Sequence, residues 1–458
     1  MTARSALRCA SNVAWGCVAT LAWRGVSGSL ASERSRHWLS TPTIGCSNDS
    51  LTVRFVIIMP LLREQNRVGA MCDHFTQIMA GYPGSVLLLV TTAREEAEDG
   101  GGNHKIVPES TAAIAERLAE HCQQQRIDVR HVHFPQSEGA MAHQVNYAVD
   151  QFLKEIPADQ RQKWWVGLYN ADSRPDPDAL NKVSQAAAED GCVIVQQSAL
   201  FTANITSMPR SFSGLIASGA AVLQSRWTLA REIPRLRAQW QATQRGERVP
   251  LAHCVGHGLF ARADYFARSG GLPLETMNED LAFGYFACAE GTPIRPVAVL
   301  ECGDAPRSVS AFVGQTRQWF WSYAQYPAMA ALAAQRGLGT PADRARLTTA
   351  GLIRGALWLG QSPVAFGALA LPVLHAAAGG SRRGTAAAVG ASALALGTYC
   401  SPAVGLARHL PDRSAQQRAL IGLLPALLVS SVGPWLCVAD AVRAGLTGLI
   451  PAHAKTED

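Results

Sequence analysis

The sequence predicts an α/β domain, built on a mostly parallel sheet with helices on both faces and followed by C-terminal transmembrane helices. Three observations support this fold class. From residue 53 onwards, short β-branched or aromatic runs alternate with stretches at helical spacing, as in parallel α/β sheets. Only 17% of the 458 residues are charged, against about 25% in soluble domains. Beyond Gly351 the chain is rich in alanine, leucine and glycine, with its charges in short breaks.

The alternating region contains five strand candidates and four helix candidates. The strand candidates are residues 53–59, 86–90, 129–134, 165–169 and 193–197, and the helix candidates are residues 67–79, 110–125, 143–153 and 177–188. Strands that alternate with helices form a largely parallel sheet whose two faces are covered. In such sheets ligands bind beyond the carboxyl ends of the strands. The residues that follow each strand candidate are therefore candidates for a functional site.

The chain divides into three regions. We expect residues 1–50 to be a poorly defined leader or interfacial segment, because their apolar run is shorter than the roughly 20 residues that a spanning helix needs. Arg4 and Arg8 before that run also fit a signal segment. Residues 51–337 form the soluble domain. Residues 338–458 form a membrane domain of about three apolar helices, at 356–378, 385–406 and 419–442.

Two alternatives remain for the C-terminal region. Buried helices of a soluble protein have a similar composition, although three in succession favour a membrane. The arginines between the apolar stretches do not fall on one side of a membrane if all three stretches cross it. Gln361-Ser362-Pro363 makes the first stretch a candidate re-entrant segment.

Charge and cysteine usage narrow the function classes. The formal charge of +6 is small for this length and is not gathered into basic tracts, which argues against a nucleic-acid partner. Weak attraction to an anionic membrane face remains reasonable. The eleven cysteines stand far apart without a CxxC or Cys/His ligand spacing, which is typical of buried thiols in a cytoplasmic protein.

Oxygen-bearing side chains follow the fourth strand candidate. Asn170 and Asp172 are separated by one residue and would project to the same side of an extended segment. Oxygen ligands of this kind suit Mg²⁺ or Mn²⁺, which often share them with substrate phosphates. The alternative is that Asn170, Ser173 and Asp176 only form a turn and cap the next helix.

Two adjacent acids open an apolar helical stretch further along the chain. Glu279 and Asp280 follow Asn278 and precede residues 281–289. A carboxylate at this position can act as a general base when an acceptor hydroxyl reaches it. The alternative is favourable placement of negative charge at the positive end of a helix.

Two further segments are weak candidates when taken singly. Pro60 and Leu61 end the first strand candidate, with Glu64 just beyond it. Gln315, Arg317 and Trp319 stand directly before the apolar region. Aromatic residues beside arginine at this border are typical of a membrane interface, and a tryptophan could equally stack against a sugar.

Taken in order, these segments resemble the family 2 glycosyltransferases between about Val53 and Trp319. The family's Asp-Ala-Asp metal motif corresponds to Asn170-Ala171-Asp172, and its Thr-Glu-Asp motif corresponds to Asn278-Glu279-Asp280. A glycine turn resembles Gly270-Gly271-Leu272-Pro273, and a Gln-x-x-Arg-Trp motif of membrane-bound members is matched in part by Gln315 through Trp319. The remaining matches are Pro60 with Glu64, and the stretch from Gly139 to Asn146.

The resemblance implies a GT-A-like, Rossmann-like catalytic domain over residues 51–337 and a hexosyltransferase type of reaction. Asp172 and Asn170 would hold Mg²⁺ or Mn²⁺ at the diphosphate of a nucleotide-sugar donor, and Asp280 would deprotonate the acceptor for inverting transfer, with Glu279 as its neighbour. The other donor-binding residues would be Pro60, Leu61, Glu64, Gly139 and Asn146. The acceptor or diphosphate side would be lined by Gln315, Arg317 and Trp319.

The implied partners are a nucleotide-sugar donor, a glycan or lipid-linked acceptor, and a membrane. A bacterial inner membrane with the catalytic domain in the cytoplasm is the expected location. The sequence departs from the family pattern at three positions, which are Thr91, Asn170 and Gln318. These departures keep open a catalytically weakened, membrane-anchored scaffold or sugar-binding protein. A sugar-phosphate nucleotidyltransferase is a weaker alternative, since the loop at 60–67 has no glycines.

Overall fold

The computed structural model describes residues 3–41, 53–95, 109–125, 127–189 and 191–447. It contains one eight-stranded sheet, a helical layer on each face of that sheet, and a group of long helices formed by both ends of the chain. The strands are β1 Arg54–Pro60, β2 Val86–Thr92, β3 Val129–Phe134, β4 Trp164–Leu168, β5 Arg174–Pro175, β6 Ile194–Leu200, β7 Leu259–Arg262 and β8 Arg295–Cys302.

The sheet is mixed rather than mostly parallel, which corrects the sequence-based expectation. Its strand order is β3-β2-β1-β4-β7-β6-β8-β5. The pairings among β1, β2, β3 and β4 are parallel, as is β6 with β8, whereas β7 is antiparallel to both neighbours and β5 is antiparallel to β8. All five strand candidates form strands. The three strands that were not anticipated include both that run against the others, β5 and β7.

Helices cover both faces of the sheet, as expected. Alternate residues of β1 point to opposite sides, so Phe55 and Ile57 join one core while Val56 and Ile58 join the other. The first core is covered by α2 Val68–Met79, α3 Thr111–Gln124 and α5 Ala179–Ala187. The second is covered by α4 Met141–Glu155, α8 Ala263–Arg268, α9 Glu279–Glu290 and α11 Tyr326–Gln335.

A long helical run joins the sheet to the C-terminal helices. It consists of α6 Phe212–Trp227, a π-helical segment Thr228–Glu232 and α7 Ile233–Gln244. The remaining helices are α10 Val309–Ala324, α12 Pro341–Leu359, α13 Gln361–Ala377, α14 Arg382–Ala407, α15 Arg413–Val429 and α16 Val432–Thr447.

The N-terminal region differs from the expected poorly defined leader. Ala3–Leu39 forms one helix, α1, which packs against α13 and α14. Its buried face consists of small or apolar residues spaced three or four apart, among them Ala14, Val18, Leu21 and Gly25. Contacts with residues distant in sequence therefore accompany the helical structure of this segment. Residues 42–50 lie outside the described residues.

Two helical segments are long and apolar enough to cross a membrane, namely Arg382–Ala407 and Arg413–Gly445. A third span arises if α12 and α13 count as one, since they meet at Gly360 with a bend of 41°. The predicted stretch 356–378 runs across this bend, where the sequence suggested a re-entrant segment. Length and composition are thus compatible with membrane association through two or three spans.

Candidate active site

Loops from several strands meet at one edge of the sheet. Gly258, just before β7, donates its N–H to Leu168 O of β4 at 2.8 Å, and its own carbonyl accepts from Gln197 N of β6 at 2.7 Å. Gly303, just after β8, donates to Leu200 O of β6 at 2.9 Å. These main-chain bonds place the segments 169–172, 256–258 and 301–304 beside each other. This edge is the carboxyl edge of the parallel strands, where α/β sheets bind ligands.

Asp172 lies in the loop after β4, with its side chain half-buried. Its Oδ2 accepts the N–H of Asp304 at 3.1 Å, which ties this loop to the loop after β8. Asn170 is bound through its main chain, whose N–H donates to Ser173 Oγ at 3.2 Å while its carbonyl accepts Ser173 N at 3.0 Å. The turn that was the alternative to a metal site at Asn170 is therefore present. This turn also carries Asp172 at the edge of the sheet.

The fit of a divalent cation to this loop depends on its oxygen ligands. Within the described ranges, no group of three or more histidine, cysteine, aspartate or glutamate side chains is arranged to hold a metal. Asp172 supplies one carboxylate and Asn170 one amide oxygen. Mg²⁺ is commonly bound by one or two carboxylates together with substrate phosphates and water. The residues present therefore fit a cation that arrives with a diphosphate, and not a preformed protein cage.

His257 is a component of the site that the sequence did not single out. Its Nδ1 lies 2.7 Å from Glu301 Oε1, and Glu301 is only 1% exposed. Burial lowers the pKa of His257, but Glu301, Glu232 and Asp172 outweigh burial and raise it to about 9. His257 is therefore an imidazolium at neutral pH. It places a positive charge at the sheet edge beside Asp172.

Glu232, which ends the π-helical segment, lies behind His257. It is 6% exposed, and burial raises its pKa to about 7, although a hydrogen bond from Ser198 and the nearby His257 oppose that rise. No local sequence pattern indicates that Glu232, His257 and Glu301 lie together. Their contacts join segments that are distant in sequence, and β8, which carries Glu301, was not recognised as a strand.

Glu279 and Asp280 form the first turn of α9, beside Gly256 and His257. The N–H of Leu281 donates to Asp280 Oδ1 at 2.7 Å, and Gly256 N–H also donates to this carboxylate. Burial raises the pKa of Asp280, whereas these two N–H groups and His257 oppose the rise. Glu279 is 6% exposed, and burial and the charge of Asp280 raise its pKa to about 8. Asp280 is thus the acid of the pair whose ionised form is stabilised.

Gly256 sets how closely the main chain approaches Asp280. A Cβ placed on Gly256 would lie 3.4 Å from Asp280 Oδ2 and 3.3 Å from the Met141 methyl group. The glycine thus leaves room on one side of the carboxylate. The segment 256–258 contributes both a main-chain donor and the histidine.

Asn278 fixes the start of α9 against α10. Its Nδ2 donates to Ser322 Oγ at 2.6 Å and to the carbonyl of Gln318 at 3.0 Å. Trp319 of α10 lies against Phe201, with ring centroids 5.7 Å apart, and Phe201 in turn contacts the His257 ring at 6.0 Å. The structure therefore brings Trp319 next to the imidazole side of the site.

The other two predicted residues of α10 have different surroundings. Gln315 accepts a hydrogen bond of 2.7 Å from Gln224 of α6. Arg317 pairs with Asp440 of α16, at 2.5 Å from Nε to Oδ2, and Asp440 is 6% exposed. Arg317 thus connects α10 to the C-terminal helices, a role that its place beside Trp319 in the sequence did not indicate.

The loop after β1 holds the first predicted motif. Leu61 is buried and donates its N–H to Val90 O at 2.7 Å. Pro60 ends the strand, and Glu64 lies 3.8 Å from Arg67, which pairs with Asp304 at 3.1 Å. The loop after β1 is therefore linked through Arg67 to the loop after β8, and Asp304 in turn contacts Asp172.

Glu95, which follows β2, supports the loop after β1. Glu95 is 4% exposed and accepts the main-chain N–H groups of Arg63 at 2.8 Å and Thr111 at 2.9 Å. Arg63 has a φ of 56°, an unusual conformation for a residue other than glycine. Thr91 of β2 is one of the three positions that depart from the family pattern. Its hydroxyl group forms hydrogen bonds with His131 and His133 of β3.

Gly139 lies two residues before the first residue of α4, and Asn146 lies within that helix. Gly139 is exposed with a φ of 120°. Asn146 accepts Leu272 N at 2.8 Å through Oδ1 and donates to Leu272 O at 2.8 Å through Nδ2. Both polar groups of Asn146 hold the glycine turn that precedes α9, so in this state it positions the turn and does not face the sheet edge.

The structure is similar to two solved structures that contain a bound nucleotide sugar. It matches the mannosyltransferase PcManGT from Pyrobaculum calidifontis, in complex with GDP-Man and Mn²⁺, with 17% identity, a TM-score of 0.45 and coverage of 91% of this chain and 98% of that chain. It matches residues 1–349 of S. aureus TarS in complex with UDP-GlcNAc with 10% identity, a TM-score of 0.41, and coverage of 86% and 92%. No family model matches the sequence, and neither does any curated protein.

Proposed function

We propose that the chain is a membrane-associated, inverting glycosyltransferase that transfers a sugar from a nucleotide-sugar donor to a lipid-linked or polysaccharide acceptor. One observation carries this proposal: Asp172 and Asp280, distant in sequence, lie at one sheet edge and both interact electrostatically with His257. A phosphate-side acid and an acceptor-side base in one site are what displacement at a sugar carbon requires.

Asp280 is the proposed general base. Its carboxylate is held by Leu281 N–H and by Gly256 N–H, and Gly256 leaves open space beside it. It removes the proton of the acceptor hydroxyl while that oxygen bonds to the anomeric carbon and the nucleoside diphosphate departs with the bonding electrons. A single base on the face opposite the leaving group gives inversion. Glu279, with its raised pKa, stays protonated beside it and adds no second negative charge.

The donor side is proposed to lie at the loops after β4 and β8. Asp172 and Asn170 would hold Mg²⁺ or Mn²⁺, and the cation when bound would offset negative charge on the diphosphate. The His257 imidazolium supplies a fixed positive charge at the same edge. Pro60, Leu61, Glu64 and Gly139 are proposed to border the nucleotide, and Gln315 and Trp319 the acceptor.

The test is transfer or hydrolysis with a panel of UDP-, GDP- and dTDP-sugars, using the full chain in a maltoside detergent. We expect turnover of at least one donor with Mg²⁺ or Mn²⁺ and its loss on chelation. Asp280→Asn should lower kcat by about 10²- to 10⁴-fold, the range for loss of a general base. Asp150→Asn, a matched change of an exposed acid on α4, should leave kcat unchanged.

Two outcomes would overturn the proposal. Binding of no donor across the panel would favour the catalytically weakened scaffold that Asn170 and Thr91 suggest. Full activity of Asp280→Asn would remove this residue as the base. Release of inorganic pyrophosphate from a sugar phosphate and a nucleoside triphosphate would instead identify a nucleotidyltransferase.

A further inference from the structure

Five arginines gather where the α6–α7 run meets α1, α12 and α14. We call them the arginine cluster, and its members are Arg24, Arg226, Arg231, Arg235 and Arg354. Across the described parts of the chain, none of the five forms a salt bridge with a carboxylate. Like charges brought together without counter-ions repel one another, so the cluster calls for an anion.

The partners within the cluster are carbonyl groups and aromatic rings. Arg226 Nε donates to Tyr399 O at 2.9 Å, and its guanidinium carbon lies 4.1 Å from the centre of the Tyr399 ring. Arg24 donates to Leu357 O at 3.1 Å, and Arg354 donates to Leu251 O at 2.8 Å. These neutral partners orient the guanidinium groups and leave their positive charge in place.

The π-helical segment aligns three of the arginines. Its i to i+5 bonding is shown by Ile233 N–H, which donates to Thr228 O. Residues five apart across such a turn lie on one side, as residues four apart do in an α-helix. Arg226 and Arg231 are five apart, and Arg231 and Arg235 are four apart. The extra residue in the π-helical turn therefore places all three arginines along one side of the run. A regular α-helix would place Arg226 and Arg231 on different sides.

Electrostatic effects show that the cluster members are close together. The pKa of Arg231 is lowered by burial and by the charges of Arg226 and Arg24. The pKa of Arg235 is lowered to about 10 by burial and by Arg354 and Arg231, although Tyr323 and Tyr326 oppose the shift. Among the described residues, the carboxyl group that interacts with the cluster is that of Glu232, whose pKa burial raises to about 7, so that one partly ionised acid stands against five arginines. The net charge of the cluster is therefore strongly positive.

The burial of the Arg226 side chain is a second observation that points to a ligand. Arg226 is only 4% exposed, and its Nη2 is buried without a hydrogen-bond partner among the described residues. A buried charged donor without a partner is strongly destabilising. Gly28 of α1 lies so close that a Cβ there would come within 2.8 Å of this nitrogen. The guanidinium is thus held in a tight space formed by α1, α6 and α14.

We propose that the arginine cluster binds the phosphate or diphosphate headgroup of a lipid-linked acceptor, which specifies the acceptor class of the proposed function and rests on it. Guanidinium groups match phosphate oxygens in pairs. The cluster borders α14, which contains Tyr399 and is apolar enough to span a membrane. Glu232 follows Arg231 directly and reaches Ser198 and His257 at the sheet edge. A lipid held here would have its chain among the apolar helices and its headgroup beside the site.

The test measures binding, so it does not depend on turnover. The full chain in maltoside would be titrated with farnesyl phosphate, with farnesol as the apolar part alone and with inorganic phosphate as the anion alone. We expect farnesyl phosphate to bind at least tenfold more tightly than either. Arg231→Gln should weaken farnesyl phosphate binding by about tenfold or more, as expected for loss of a charge-assisted pair, and Arg231→Lys should retain part of the affinity.

The matched control is Arg237→Gln. Arg237 lies on the same helix, but its guanidinium stacks over Trp38 and its pKa is lowered by burial alone. This change should leave binding unaltered. Arg231 is half-buried, and its side chain makes no hydrogen bond to the described residues, so its replacement should fold, which a thermal unfolding curve would verify. Equal binding of farnesol, equal binding of free phosphate, or unchanged affinity in Arg231→Gln would each overturn the proposal.

Failure of this proposal is separable from failure of the proposed function. Donor hydrolysis without acceptor depends on the sheet edge and would continue in Arg231→Gln. If donor turnover is present but farnesyl phosphate does not bind, the enzyme uses an acceptor of another class and the cluster proposal is wrong. If farnesyl phosphate binds through Arg231 but no donor is turned over, the anion site stands without the transferase.

Discussion

At the scale of single residues, the division of roles between Glu279 and Asp280 follows from their surroundings. Glu279 is buried against apolar helices, whereas Asp280 receives two main-chain N–H groups and faces His257. Adjacent acids whose environments favour different protonation states can serve different roles in one site. We infer that near neutral pH the pair carries one negative charge, on Asp280.

Replacement of Glu279 tests this charge state. Because the carboxyl of Glu279 has a pKa of about 8, Glu279→Gln resembles the form already present at pH 7. We expect kcat at pH 7 within about threefold of wild type, in contrast to the large loss in Asp280→Asn. A pH–rate profile of both variants provides the measurement. A loss in Glu279→Gln as large as that in Asp280→Asn would contradict the assignment of the base.

The same residue makes folding stability depend on pH. Its pKa is raised from 4.5 to about 8, so the folded state keeps a proton that the unfolded chain releases between these values. The stabilisation from this group is complete below pH 4.5 and is lost as the pH rises through 8. Glu279→Gln removes this dependence. We expect its melting temperature relative to wild type to rise between pH 5 and pH 8.5, and parallel curves would show that Glu279 is ionised.

The glycine turn before α9 gives a third prediction at this scale. Gly271 has a φ of 76°, and a Cβ there would lie 2.5 Å from Asn146 Oδ1, whereas Gly270 has a φ of 80° with nothing within 4 Å. Gly271→Ala should therefore cost about 2–4 kcal/mol, from strain and the broken Asn146 contacts. Gly270→Ala should cost about 1 kcal/mol from backbone strain alone. Denaturant unfolding of both variants compares them, and equal losses would refute the contact.

The sequence predicted which acids lie at the sheet edge better than it predicted the residues that contact them. Asp172 and Asp280 were expected there because they follow recognisable patterns, and the structure places both beside His257. His257, Glu301 and Glu232 left no local signal, since each gains its role from a residue far away in sequence. Arg317 shows the opposite failure: it stands near Trp319 in the sequence but pairs with Asp440.

At the scale of elements, the periodicity of apolar residues predicted the strands that are buried on both faces of the sheet and the helices that are buried along one face. All four helix candidates and all five strand candidates formed. β7 was missed because it is four residues long and follows two glycines, and β8 because it contains Arg295, Pro296 and Glu301. All three antiparallel pairings involve β7 or β8, so the mixed direction of the sheet could not be predicted from the strands that were recognised.

Helix contacts through glycine provide a prediction at this scale. A Cβ on Gly422 of α15 would lie 1.9 Å from Leu215 O, and one on Gly219 of α6 would lie 2.2 Å from Gly422 O. Such close backbone approach depends on small residues. Gly422→Leu should separate α6 from α15 and lower the melting temperature by more than about 5 °C. Gly390→Leu, at an exposed site on α14 with nothing within 4 Å, should have little effect, and equal shifts would rule out the close contact.

At the scale of the whole molecule, the soluble and apolar regions are joined by packing and not only by the chain. α6 lies against α15, α10 lies against α16, and α1 returns from the N-terminus to cover α13 and α14. The sequence predicted consecutive regions because composition changes near residue 338. It could not show that α6 and α10 are shared between them, since pairs such as Gly219 and Gly422 are distant in sequence.

Truncation tests whether the two regions are independent. Removal of residues 338–458 would uncover the α6 surface around Ile216 and Leu223 and deprive Arg317 of Asp440. Exposed apolar surface of this kind leads to aggregation. We expect residues 1–337 expressed alone to aggregate on size-exclusion chromatography, whereas the full chain should be monodisperse in detergent. Co-expression with residues 338–458 as a separate chain should restore a soluble complex, because packing holds the regions together. A monodisperse, stable 1–337 fragment would instead show that these residues fold independently of the C-terminal helices.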